Sequence, residues 1–134
     1  MTTKYVLDTH ALEWFLEGNP RLGANAKAVM EDANNNLIVP VIALAEACWI
    51  IENGRTSIPT VADFLAALDA DPRISLISLD RAVLDRTLGM TIIDEMHDRQ
   101  IVATALLLSD DGETVAVLTK DSNIRRSELV FVIW

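Results

Sequence analysis

Lys4-Tyr5-Val6-Leu7-Asp8-Thr9-His10-Ala11-Leu12-Glu13-Trp14-Phe15-Leu16 is the stretch that decides the fold class. A short apolar, β-prone run stops at an acid and a hydroxyl, and Leu12, Phe15 and Leu16 then recur at helical spacing. The spacing predicts a strand, then a helix, with Asp8 at the junction.

The same alternation continues outward. Gly18-Asn19-Pro20 punctuates, and an Ala-rich helix is expected from Gly23 to Asn34. Leu37-Ile38-Val39 reads as a short buried strand, with Pro40 in the first turn of a helix that runs to about Asn53 and stops at Gly54. Thr60 caps a helix to about Ala70, and Ile74 to Leu79 has strand character. Asp80 caps a helix toward Leu88, ahead of Gly89, and Asp94 to Asp98 forms a polar approach to the apolar helix Arg99 to Leu108. A turn at Asp110-Asp111-Gly112 leads to the strand Val115 to Thr119, and Leu129 to Trp134 reads as an edge strand. Strands alternating with helices imply parallel pairing and helices on both faces, so the expected class is α/β. In open sheets of this kind, ligands bind beyond the carboxyl ends of the strands, which gives weight to residues just after a strand.

The 134 residues suit one domain, 1–134, with one core. A hydrophobic content of 51% and a mean hydropathy of +0.27 exclude a disordered acidic tail. The longest apolar stretch, Leu37 to Ile51, is broken by Pro40 and Glu46, well short of the roughly twenty apolar residues a membrane helix requires. The N-terminus lacks the long apolar region of a signal peptide, so the expected location is the cytoplasm. One cysteine, Cys48, and two histidines are too few soft ligands for a Cys/His zinc site. A net charge of −9 argues against a broad basic surface for nucleic acid, unless the acids gather where bound cations reverse the local field.

Four acids stand out. Asp8 and Asp121 follow apolar strands, so parallel strands bring both to one sheet edge. Glu46 and Asp98 belong to apolar helices that start from that edge. Each has a bland reading: Asp8 as a helix cap, Asp98 as a first-turn dipole partner, Asp121 as a turn residue, Glu46 as the partner of an Arg on a neighbouring helix. Together they suggest more. Converging carboxylates repel one another, whereas Mg²⁺ or Mn²⁺ prefers oxygen ligands and turns that repulsion into a binding site. Such a site activates water for phosphodiester hydrolysis. Asp8 and Asp98 are the expected direct ligands, Glu46 a ligand or water-positioner, and Asp121 a ligand or a supporting acid.

At this point the motifs resemble those of a known family. Val6-Leu7-Asp8-Thr9-His10-Ala11-Leu12-Glu13-Trp14 resembles the N-terminal motif of PIN domains, especially VapC-type toxins of toxin-antitoxin systems. Glu46 in Ala45-Glu46-Ala47 resembles the family's helix glutamate. Asp98-Arg99-Gln100-Ile101-Val102-Ala103-Thr104-Ala105 matches its Asp-Arg-x-Ile-x-Ala-x-Ala motif, and Thr119-Lys120-Asp121 its Thr-x-Asp segment. The motifs fall in family order across essentially the whole chain. The resemblance implies a three-layer α/β/α sandwich around a mostly parallel sheet. It also implies a metal-dependent ribonuclease site, an RNA substrate, a small cognate antitoxin and a homodimer. One departure is visible: many relatives carry Asp-Pro-Phe-Asp where this chain has Glu95-Met96-His97-Asp98, so Glu95 becomes a candidate substitute for the missing acid.

Thr9 and Thr119 have two equal readings, as groups that orient neighbouring carboxylates and as backbone-satisfying turn residues. Arg99 and Lys120 are candidates for RNA phosphates, while Arg125 and Arg126 read as a solvated face, His97 as a loop residue, and Trp14 and Trp49 as core or dimer-interface residues. An aspartyl phosphotransferase also places an Asp after its first strand but requires a second Asp two residues on, where this chain has His10. A receiver-like domain requires an acid pair after the first strand and a phospho-acceptor after the third, and neither is present. A PIN-like binding module that has lost catalysis is the remaining alternative.

Overall fold

The structure, a computed structural model, describes residues 2–134. Its elements are β1 (Thr3–Leu7), α1 (Thr9–Glu17), α2 (Ala24–Glu31), β2 (Asn36–Pro40), α3 (Val41–Glu52), α4 (Val61–Asp69), β3 (Ile74–Ile77), α5 (Arg81–Thr87), α6 (Met96–Asp110), β4 (Thr114–Leu118), α7 (Ser122–Ser127) and β5 (Val132–Ile133). The strands form one sheet in the order β3-β2-β1-β4-β5, and every adjacent pair is parallel. The α/β class and the parallel central sheet are as expected.

Register explains why both faces are covered. Val6 pairs with Ile38 and Val117, and all three point to one side, where Ile101 and Ala105 of α6 bury them. Leu7, Leu37, Val39 and Leu118 point the other way, onto Leu12 of α1, Ala26 and Met30 of α2, and Phe64 and Leu68 of α4. Strands buried on both faces read as unbroken apolar runs, as Val6-Leu7 and Leu37-Ile38-Val39 do. Each fully buried Leu, Ile or Phe contributes about 1.5–3 kcal/mol of transfer free energy. A third cluster, Val83, Ile93, Val102 and Ile124, packs α5, α6 and α7 together beyond the sheet.

Several ends differ from the expected ones, for local reasons. Pro40 closes β2 and caps α3 instead of lying in its first turn. α6 begins at Met96, because the Glu95 carboxylate accepts from Asp98 N at 2.9 Å, so Asp98 lies within the helix and not ahead of it. β3 and β5 are shorter than their apolar runs. α7 was not expected at all: it has six polar-rich residues, and Asp121 caps it by accepting from Asn123 N and Ile124 N. α1 ends at Gly18, whose φ of 69° is the left-handed value an L side chain resists.

Two tight features fix the periphery. Gly23 meets the C-terminal residue so closely that an added Cβ would lie 2.5 Å from the Trp134 carbonyl carbon and 2.7 Å from its indole. Glu17, at the end of α1, accepts from Thr56 Oγ1, Ser57 N, Ser57 Oγ and Asn19 Nδ2, pinning the 53–60 loop. Four donors hold its carboxyl down to about 2, the Thr56 and Asn19 bonds foremost.

Candidate functional site

β1, β2 and β4 end at the same sheet edge, and the cleft there is lined by Asp8, Thr9, Glu46, Asp98, Lys120 and Asp121 among others, with a volume of about 390 Å³. All four acids singled out from the sequence therefore face one space.

Asp8, buried at the end of β1, caps α1 by accepting from Ala11 N at 2.8 Å. Burial pushes its carboxyl up to about 6, against hydrogen bonds from Thr119 and Ala11 that pull it down. Thr119 is fully buried, and its hydroxyl also accepts from Asp121 N at 3.0 Å, linking two of the acids. Asp98, in the first turn of α6, is pushed up to about 7, first by burial and then by repulsion from Asp121, Glu95, Asp8 and Glu46. Glu46 rises from α3; burial raises its pKa, while His97 and a hydrogen bond from Thr9 Oγ1 at 3.2 Å lower it. Thr9 and Thr119 thus hold carboxylates, and Thr119 also satisfies the backbone of its turn. Among the described residues no Arg is paired with Glu46, so the Arg ion-pair reading of that residue does not hold: its basic neighbours are His97, with Nδ1 at 3.6 Å, and His10.

His97 was read as a loop residue, yet it stands at this rim, between Glu46 and Glu95, whose Oε1 lies at 3.3 Å. Its position before Asp98 is the sole sequence signal. Glu95 is spent on capping α6 and on His97. Arg99 points away, its Nε donating to Ile93 O, which leaves Lys120 as the basic residue lining the cleft, with its Nζ 4.7 Å from the centroid of the Trp14 ring. Arg126 is held by Asn123 Oδ1 on the outer face. Trp14 is core, as expected, whereas Trp49 is 55% exposed, beneath the Arg55 guanidinium.

The donor set is oxygen only, in a setting where burial and mutual repulsion disfavour the charges. This is the chemistry a hard divalent cation matches. As the side chains stand, no three acids or histidines among the described residues are close enough together to hold an ion. The bland roles are also real: Asp8 and Asp121 cap helices, and Asp98 sits at a helix N-terminus.

The PIN domain family model matches residues 5–128, so the chain belongs to the PIN domain family. Its fold is shared with three solved complexes. Against VapBC2 from Rickettsia felis, bound to a DNA fragment from its promoter, the TM-score is 0.67 at 16% identity over 97% of both chains. Against VapBC-1 from nontypeable Haemophilus influenzae it is 0.64 at 16% identity, over 97% of this chain and 96% of the other. FitAcB from Neisseria gonorrhoeae gives 0.63 at 17% identity with the same coverage. No curated protein matches the chain by sequence. No helix among the described residues is long and apolar enough to cross a membrane.

Proposed function

We propose that residues 1–134 form one PIN domain that acts in the cytoplasm as a metal-dependent endoribonuclease, the toxin of a toxin-antitoxin pair. The observation that carries this reading is the lining of one cleft by Asp8, Glu46, Asp98 and Asp121 at the carboxyl edge of a parallel sheet. Asp8 and Asp98 would hold Mg²⁺ or Mn²⁺, with Glu46 as a ligand or water-positioner and Asp121 as a ligand or support. A bound ion neutralises the cluster and supplies an activated water and charge stabilisation for attack on a phosphodiester. Thr119 and Thr9 orient Asp8 and Glu46, and Lys120 supplies a cation for the phosphate. The partners are an RNA substrate, a small cognate antitoxin and a second copy of the chain. The neighbouring VapBC and FitAcB complexes support the antitoxin.

The test is cleavage of defined tRNA, rRNA and mRNA substrates by the purified chain, freed of any partner, in Mg²⁺ or Mn²⁺ against EDTA, beside Asp8→Asn and Asp98→Asn. Metal-dependent cutting that both substitutions abolish in folded protein is the expected result. Wild type that cuts none of these, or substituted proteins that cut equally well, would leave the binding-module alternative in its place.

A further inference from the structure

A second cleft, of about 570 Å³, adjoins the acid cleft and shares His10 and Ile50 with it. Its walls include Glu13, Trp14, Arg21 and Arg55. A strand whose phosphate sits over the four acids therefore has room to place a neighbouring base here.

Glu13 is one of two residues, with Gln100, whose buried side-chain oxygen the fold leaves without a partner among the described residues, and it is the one that lines this cleft. It is 4% exposed, its Oε2 is buried, and that atom has no hydrogen-bond partner among the described residues. A buried carboxylate oxygen without a donor is costly, so it calls for a proton, a water or a ligand that supplies the donor, and at Glu13 burial already raises the affinity for a proton. The surroundings say what such a ligand carries. The guanidiniums of Arg21 and Arg55 lie over Trp14 and Trp49, 5.8 and 5.2 Å from the ring centroids, and suit phosphate oxygens while repelling a basic peptide. The exposed His10 ring, stacked on Trp14 at 4.7 Å and 27°, offers a flat face at the junction of the two clefts. A ligand with hydrogen-bond donors, a flat ring and phosphates is a nucleotide. Of the four RNA bases, guanine alone sets two N–H donors side by side on its pairing edge, the pattern that a carboxylate accepts with both oxygens. Adenine and cytosine set an acceptor beside their amino group, and uracil flanks its one N–H with two carbonyls.

We infer that this second cleft is a base-reading subsite, in which the Glu13 carboxylate accepts from the paired N–H donors of a guanine in the bound RNA while Arg21 and Arg55 meet its phosphates. The inference rests on the RNA-cutting reading for its role, but its binding chemistry is separable from cleavage. Because Oε2 is buried as the side chain stands, presenting both oxygens requires the carboxylate to turn about its last side-chain bond, a rotation with broad, low barriers.

The test is titration of the 134-residue chain, in EDTA and at about pH 8, where the Glu13 carboxyl is ionised, with GMP, AMP, CMP and UMP, followed by NMR shifts or calorimetry. GMP is expected to bind about tenfold tighter than AMP, and Glu13→Gln to bring the two within about twofold of each other. Arg55→Ala is expected to weaken both by similar factors, which keeps the test open should Glu13→Gln fail to fold. Equal or absent binding of all four nucleotides, a guanine preference that survives Glu13→Gln, or an arginine-rich peptide that outcompetes GMP at Glu13 would overturn the inference. RNA cleavage with no GMP preference removes the subsite and leaves the nuclease. GMP preference with no cleavage removes the nuclease and leaves the subsite.

Discussion

Glu13 also gives the sharpest stability prediction. Burial, with Glu17 nearby, lifts its carboxyl from 4.5 to about 7, against a smaller opposing pull from Arg21. The folded state therefore keeps the Glu13 proton through a pH range where the unfolded chain has lost it, so stability falls as pH rises from about 4.5 to about 7. At about 1.36 kcal/mol per pH unit the ceiling on that loss is roughly 3 kcal/mol, and relaxation of the open cleft brings the expectation to about 2 kcal/mol. Glu13→Met keeps the volume and removes the charge. Urea denaturation of wild type and Glu13→Met at about pH 4 and pH 8 is expected to show little difference at the lower pH and a gain of about 2 kcal/mol for the variant at the higher. Burial lowers the His10 pKa, and this ring lines the same cleft, as do Glu17, Arg21 and Arg55, so the pair of measurements is repeated in a His10→Gln background. A gain of equal size at both pH values would refute the reasoning, because it would then come from packing and not from charge.

Three further outcomes follow from the geometry. Glu17→Ala releases the 53–60 loop and is expected to cost about 1–2 kcal/mol after solvent screening, with faster hydrogen exchange at Ser57. Because the Glu17 pKa is depressed, that contribution is present above about 4.5 and disappears as pH falls toward 2; a cost unchanged in acid would contradict the assignment. Gly23→Ala drives a methyl into Trp134 and is expected to destabilise by about 1–3 kcal/mol with a shifted indole fluorescence, whereas an unchanged melt would show that the C-terminal residue yields freely. Saturating Mg²⁺ is expected to raise the melting temperature of wild type, by about 2.7 kcal/mol of linkage at a hundredfold excess over Kd, and not that of Asp98→Asn; equal shifts in both would place the ion elsewhere.

What was legible in the sequence follows from what repeats. The runs Tyr5-Val6-Leu7, Leu37-Ile38-Val39 and Val115 to Leu118 are apolar on both faces, so they announce a covered parallel sheet, and the acid after each of two strands announces its working edge. The four acids could be placed on one cleft because topology alone brings them there. α7 escaped because a six-residue helix with a single apolar residue, Ile124, among Ser, Asn and Arg has no apolar stripe, and its sign was the Asp121 cap read as a turn. The start of α6 was obscured by a run of acids that suits a loop and a first turn equally. Glu13 went unremarked, and His97 was read as a loop residue, for another reason: a polar side chain in sequence says nothing about what lies opposite it until neighbouring elements are docked. Trp49, read as core or dimer-interface, is exposed, so the core half of that reading fails for the same reason: apolar neighbours in sequence do not place a side chain inside.

The strand order has a consequence for how the chain comes into being. β1 lies at the centre of the sheet, yet its partners are Asn36 to Ile38 on one side and Thr114 to Leu118 on the other. As the polypeptide emerges from the ribosome, one flank of β1 finds β2 early and the other waits for β4, offering bare backbone to any passing strand in the interval. Thr119, which hydrogen-bonds Asp8, and Asp121, which repels Asp98, arrive with that late segment. A nascent chain thus carries Asp8, Glu46 and Asp98 ahead of the residues that hydrogen-bond and repel them, and the cleft gains Lys120 and Asp121, two of its lining residues, only with the segment that follows β4.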